Sequence, residues 1–155
     1  MKSADCPLVR CIESEYYLRE TKKPLQLLPH QKRILNAAFS FEQEPRYTTI
    51  VYSTPKKEGK TEIGGALTYA FARTYGGDCI SVANDEEQAE SRMFRRVESA
   101  LKVMQVQAPD LFREVVHPDQ KRGKNIQIVK NGVIEFCEND QVNPGPHTLR
   151  YIAND

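Results

Sequence analysis

The chain has 155 residues, a length that suits one domain with its own core. Its net charge of +1 excludes a uniformly basic nucleic-acid binder, so any contact with DNA would come from a local patch. Charged residues interrupt the N-terminal segment, and no apolar run is long enough to span a bilayer. These features predict a cytoplasmic protein that does not associate with membranes.

The four cysteines do not follow a metal-binding pattern. Cys6 and Cys11 are spaced C-x₄-C, but neither a second close pair nor a His-x₃₋₅-His element accompanies them. Cys79 and Cys137 lie in predicted strands, far from that pair. We therefore favour free, partly buried thiols over a zinc site.

Residues 1–24 are weakly patterned, and we interpret them as an N-terminal extension. Apolar side chains at Val9, Ile12, Tyr16 and Tyr17 are compatible with a short helix that ends before Pro24. The main domain would then begin at residue 25.

A helix is predicted from Pro29, because proline is tolerated in a first turn and one apolar face follows. That face comprises Ile34, Leu35, Ala38 and Phe39. Gln31 lies near the helix start, and its amide has the donor and the acceptor needed to pair with the edge of adenine. The alternative is a glutamine that faces solvent.

The most informative stretch is a β-type run at residues 47–53, a turn-rich loop, and then Gly59-Lys60-Thr61 at the start of a predicted helix, 60–74. This is the layout of a phosphate-binding loop, in which free N–H groups at a helix start face the phosphates. Gly59 would let the backbone approach a phosphate, and Lys60 would reach the β- and γ-phosphates. Thr61 would place its hydroxyl on Mg²⁺.

Thr54 stands where such loops usually have a second glycine, so an ordinary basic turn before a helix is the alternative. The flanking patterns favour phosphate binding. Residues 47–52 are β-branched and aromatic, and the helix that follows has one apolar face. The residues of that face are Ile63, Ala66, Leu67, Ala70 and Phe71.

The remaining sequence alternates between strand and helix patterns. Residues 78–83 are typical of a strand, and the helix after it has the apolar face Ala89, Met93, Val97, Ala100, Leu101 and Met104. For the basic residues of this helix we favour a solvated surface over a DNA patch; they are Arg92, Arg95, Arg96 and Lys102. Residues 109–116 predict a short helical turn, residues 125–129 and 133–137 a hairpin, and residues 149–153 a last strand.

In this order, the motifs resemble the ATPase half of the large terminase subunit of tailed phages, a family of P-loop NTPases close to helicases. Leu28-Pro29-His30-Gln31 is similar to its adenine-binding motif, and residues 81–89 to its strand-to-helix segment ending in Gln-Ala. Residues 151–155 resemble a Walker B strand ending at Asp155, with the polar Asn154 before it. The family's variant Walker A loop, which often lacks the first glycine, resembles Thr54-Pro55-Lys56-Lys57-Glu58-Gly59-Lys60-Thr61.

The resemblance implies an α/β fold, a three-layer P-loop NTPase with a mostly parallel central sheet and flanking helices, incomplete at the C-terminus. Residues 25–155 would be the front part of an ATPase domain. Each of residues 54–61 would take part in binding ATP, and Gln31 would bind the adenine. Thr61 and Asp155 would bind Mg²⁺. Lys56 or Lys57 would stabilise charge in the transition state.

The implied activity is ATP hydrolysis that drives double-stranded DNA into a procapsid. The implied partners are a portal protein, a small terminase subunit and identical subunits in a ring, and the full-length protein would also be an endonuclease. Because the family's catalytic glutamate would follow Asp155, we expect this chain to hydrolyse ATP poorly. The alternatives are a helicase-like or restriction-type translocase and an inactive nucleotide-binding module.

Overall fold

The computed structural model describes residues 5–39, 47, 49–75, 79–83 and 94–116, and the backbone of three strands within residues 125–153. The five helices of these ranges are α1 (Pro7–Glu15), α2 (Pro29–Phe39), α3 (Lys60–Thr74), α4 (Arg95–Gln107) and α5 (Pro109–Val115). Three of them have proline in their first turn, where a missing N–H costs no helical hydrogen bond. The bounds predicted for α3 and the predicted start of α2 are confirmed.

Helix α3 lies between α1 and α4, and together these helices form the centre of the core. Its buried face includes Ile63, Ala66 and Ala70, as predicted, and also Tyr69. The predicted apolar residues of α4 that the structure describes are buried as well; they are Val97, Ala100, Leu101 and Met104. The basic side chains Arg95, Arg96 and Lys102 are on the exposed side of α4, and Arg92 lies outside the described residues.

Helix α1 contributes to the same core as α3. Leu8, Val9, Ile12 and Tyr16 are fully buried, and α1 packs against α3 and α2. Burial of each such side chain stabilises a fold by about 1.5–3 kcal/mol. The predicted boundary at residue 24 therefore separates segments that share one hydrophobic core.

The strands are short: β1 (Ile80–Ala83), β2 (Asn125–Ile128), β3 (Gly132–Glu135) and β4 (Thr148–Ala153). Their order is β1-β4-β3-β2, with β4 parallel to both β1 and β3 and with β2 antiparallel to β3. These positions overlap the predicted ranges 78–83, 125–129, 133–137 and 149–153.

The predicted three-layer P-loop fold with a mostly parallel central sheet is wrong. The part of the chain whose side chains the structure describes consists of helices and loops and contains no strand. The strand expected to lead into the loop is missing, since the described residues of 47–53 belong to no ladder and Val51 is 86% exposed. β-propensity reflects the fit to a half-buried pleated surface, and Ile50 and Val51 have no such surface to pack against, since both side chains are exposed.

None of the helices within the described ranges is long and apolar enough to cross a membrane.

Candidate functional site

The loop before α3 has an alternating backbone conformation. Lys57 and Gly59 have positive φ angles of 68° and 72°, Glu58 between them does not, and Lys60 is helical. Such alternation between left-handed and right-handed residues turns successive N–H groups toward one concave side, which makes an anion-binding nest. The sign of φ alternates over residues 57–59 as it does in such a nest.

The first turn of α3 adds further donors to this concavity. The first intrahelical bond runs from the Ile63 N–H to the Gly59 carbonyl oxygen, at 2.9 Å. The N–H groups of Lys60, Thr61 and Glu62 come before that bond, and no side chain caps the helix. They are the donors that every helix leaves unpaired at its start, where the helix dipole also favours an anion.

The Lys60 side chain folds back across the loop. Its Nζ donates to the carbonyl oxygen of Pro55 at 2.6 Å and also to that of Thr54. An ammonium has three N–H donors, so two hold the loop closed and one is left for a ligand. This brings the positive charge of Lys60 back to the start of the loop.

Thr54 contributes a buried hydroxyl to the start of this loop. Its Oγ1 has no hydrogen-bond partner within the described part of the chain, and the same is true of the Tyr52 hydroxyl just before it. An unpaired buried polar group costs about 1–3 kcal/mol. A ligand or a water molecule in the loop would relieve that cost at Thr54.

The remaining predicted site residues lie in an exposed turn, in the first turn of α3, or outside the described residues. Lys56, Lys57 and Glu58 form an exposed turn, and Thr61 is half-buried in the first turn of α3. Asp155 lies outside the described residues, so its predicted metal role stays a prediction. In the described ranges, no group of three or more His, Cys, Asp or Glu side chains is arranged to hold a metal ion.

Gln31 is buried at 7% exposure, so the alternative of a solvent-facing glutamine is wrong. Its Oε1 accepts a hydrogen bond from the Leu28 N–H at 2.9 Å, just before α2 begins. A glutamine at the third helical position that bonds back to the residue before the helix is half of a capping box. The predicted adenine contact would have to share an acceptor that already stabilises the start of α2.

Glu62 lies in the first turn of α3, and the sequence predicted no role for it. Its Oε1 accepts a hydrogen bond from the Tyr16 hydroxyl at 2.9 Å, and its Oε2 lies 3.3 Å from Nη1 of Arg96. Both partners draw the carboxylate away from the N–H groups of its own first turn. The only sequence signal was an acidic residue directly after Gly59-Lys60-Thr61.

A second polar network ties the far end of α3 to α1 and α5. Glu15 Oε2 accepts from the Tyr69 hydroxyl at 2.8 Å and from Nε of Arg73 at 3.1 Å. Arg73 Nη2 also donates to Glu114 at 3.0 Å. Burial, followed by the charge of Glu15, raises the pKa of Tyr69 well above its ordinary value.

Cys11 lies beside the same carboxylate, with its Sγ 3.8 Å from Oε2 of Glu15. Burial and then the charge of Glu15 raise the pKa of this thiol to about 12. Cys6, Cys11 and Cys79 are free thiols, in agreement with the sequence interpretation, and Cys137 lies outside the described residues. A thiol with a raised pKa is a poor nucleophile, so the surroundings of Cys11 do not activate it.

Comparison of the chain with protein-family models, with curated proteins and with solved structures finds no match.

Proposed function

We propose that residues 54–61 and the start of α3 bind the triphosphate of ATP. The observation that carries this proposal is the alternating backbone of residues 57–60, across which Lys60 is already folded. Backbone donors, a helix start and an ammonium group belong to one loop and the helix turn after it, and each favours a phosphate oxygen. The unpaired Thr54 hydroxyl supports a ligand at the same place.

In this proposal the loop N–H groups and Lys60 hold the phosphates, and Thr61 binds Mg²⁺ through its hydroxyl. The metal would neutralise phosphate charge during hydrolysis. Lys56 or Lys57, both exposed in the turn, would approach the terminal phosphate. Gln31 at adenine and Asp155 at the metal complete the proposal on the strength of the resemblance alone.

The wider activity that we propose is that of a DNA-packaging ATPase, which couples ATP hydrolysis to movement of double-stranded DNA. This part of the proposal rests on the ordered motifs from Gln31 to Asp155. It includes action in the host cytoplasm, assembly into a ring, and contact with a portal protein and a small terminase subunit.

The first test is titration of the Lys60→Ala variant with a fluorescent ATP analogue. Loss of a charge-assisted contact should weaken binding by about ten- to a hundredfold, because such hydrogen bonds are worth about 1.5–3 kcal/mol. Lys23→Ala, which removes an exposed lysine from a different turn, is the matched control and should bind like the wild type. Unchanged affinity in a folded Lys60→Ala protein would contradict the phosphate-loop assignment.

A further inference from the structure

A groove of about 490 Å³ lies between the turn after α1 and one face of α4. Four basic side chains line it, two from the turn (Arg19 and Lys22) and two from the helix (Arg95 and Lys102), together with the carboxylate of Glu98. Lys102 Nζ lies 2.8 Å from Glu98 Oε1. The lining therefore has an excess of positive charge although the net charge of the chain is only +1.

The turn that supplies Arg19 and Lys22 is held in place by backbone hydrogen bonds. The Leu18 N–H donates to the Lys23 carbonyl at 2.9 Å, and the Lys22 N–H donates to the Leu18 carbonyl at 3.0 Å. At the base of the turn, Tyr17 and Pro24 form an antiparallel bridge. The basic side of the groove is thus presented by a pre-organised turn, which lowers the entropic cost of binding.

Lys22 occupies a conformation that favours glycine. Its φ angle is 58°, in the left-handed region, where a residue with a Cβ atom is strained by about 1–3 kcal/mol. Glycine would satisfy the turn without that strain. A lysine at this position places an ammonium group on the lining of the groove.

The helix side of the groove is partly apolar. Val103 and Val106 line it, and Val106 is 74% exposed. Ser99 and Gln107 lie on the same lining and offer hydrogen bonds to a peptide backbone. Exposed apolar surface beside basic groups suits a ligand that carries both negative charge and an apolar side chain.

We infer that this groove binds an acidic peptide segment of a partner protein, with carboxylates at the basic turn and an apolar side chain on Val103 and Val106. A nucleic acid fits less well. The described lining has no aromatic ring on which a base could stack, and it has two valine side chains that a phosphate backbone would leave without an apolar partner. The inference does not depend on nucleotide binding by residues 54–61.

The experiment is fluorescence anisotropy of the 155-residue chain with a short labelled peptide that alternates glutamate and leucine. K22G removes the ammonium group and keeps the left-handed backbone, while K23A removes the adjacent exposed lysine, which does not line the groove. We expect K22G to weaken binding about three- to tenfold, as a contact worth roughly 1 kcal/mol does, and K23A to leave it nearly unchanged. V106D should weaken binding as well, by repulsion on the apolar side.

Peptides with glutamine for glutamate, or with serine for leucine, should bind more weakly than the parent peptide. Equal affinity of K22G and K23A, or no binding of the parent peptide, overturns the proposal. A DNA duplex is the competing class of partner. If the duplex displaces the peptide and depends on Lys22 in the same way at lower concentration, the groove binds nucleic acid and the assignment of an acidic peptide is wrong.

Discussion

The two residues other than glycine with positive φ in the described ranges are lysines, Lys22 and Lys57. One belongs to the basic groove and the other to the loop before α3. In each case the backbone favours glycine, so the side chain is retained at a cost in conformational energy. This places both lysines among the residues most informative about ligand binding.

Exchange of Lys57 for glycine separates the two effects. We expect Lys57→Gly to leave the free energy of unfolding unchanged or to raise it by about 1 kcal/mol, because relief of strain offsets the greater entropy of the unfolded chain. ATP affinity should fall severalfold with the loss of a charge near the phosphates. Urea denaturation and nucleotide titration measure the two quantities.

Lys56→Gly is the control for that prediction, since it removes the neighbouring charge from a residue without positive φ. It should lower stability, where Lys57→Gly does not. If Lys57→Gly destabilised the protein and bound ATP normally, Lys57 would be a folding residue and not part of the ligand site.

At the scale of elements, three helices meet at the start of α3. Tyr16 follows α1, Glu62 is in the first turn of α3, and Arg96 is in α4. Their contacts hold the helix that would face the phosphates against the two helices beside it. The same contacts keep the Glu62 carboxylate from occupying the donors of its own helix.

We expect Tyr16→Phe to lower the free energy of unfolding by about 1–3 kcal/mol, because it leaves a partly buried carboxylate without its hydroxyl donor. Arg96→Ala should cost less, about 0–1 kcal/mol, since the Arg96 side chain is 46% exposed and its ion pair is screened by water. Urea denaturation gives both values, and a double-mutant cycle with Glu62→Gln tests whether they act through Glu62. A larger loss for Arg96→Ala than for Tyr16→Phe would contradict this order.

The sequence was sufficient for the described helices and for the positions of the four short strands, but the strand predicted at residues 47–53 is absent from the described residues of that range. The start of α3 follows from Gly59 and its buried face from apolar residues at helical spacing, both of which are local signals. The strand expected at residues 47–53 depends on partners elsewhere in the chain, which no local pattern specifies. The role of Tyr16 was missed for the same reason, because its partner Glu62 is 46 residues away.

The features of the candidate site also fall into two groups, those that a local motif predicted and those that it did not. Gly59 and Lys60 were identified from a motif whose backbone the structure then describes. The positive φ of Lys57 and the burial of Gln31 were not predictable, because lysine disfavours that conformation and a lone glutamine is usually exposed.

At the scale of the whole molecule, the α1/α3 interface contains tyrosine hydroxyls and a cysteine thiol that are neutral in the folded state. Ionisation of these groups would destabilise the fold. Burial raises the pKa of Tyr16 and of Tyr69 above the ordinary value of 10.0, and it raises that of Cys11 from 9.0 to about 12. Glu62 adds to the effect at Tyr16, and Glu15 adds to it at Tyr69 and Cys11. The interface is therefore most stable where all three side chains are protonated.

A group whose pKa is raised by folding stabilises the fold fully below its unfolded pKa and loses that contribution as the pH rises toward its folded pKa. We therefore expect the free energy of unfolding to begin to fall above pH 9.0, where the unfolded Cys11 thiol ionises, and to fall more steeply above pH 10.0, where the tyrosines join it. Each group adds a slope of roughly 1.4 kcal/mol per pH unit. Urea denaturation across this range measures the slope. Cys11→Ala should reduce the part that begins near pH 9.0, to which the buried Cys6 with its raised pKa also contributes, while leaving the steeper part. A wild-type stability that stayed constant through this range would mean that water reaches these side chains and that the α1/α3 interface is not closed.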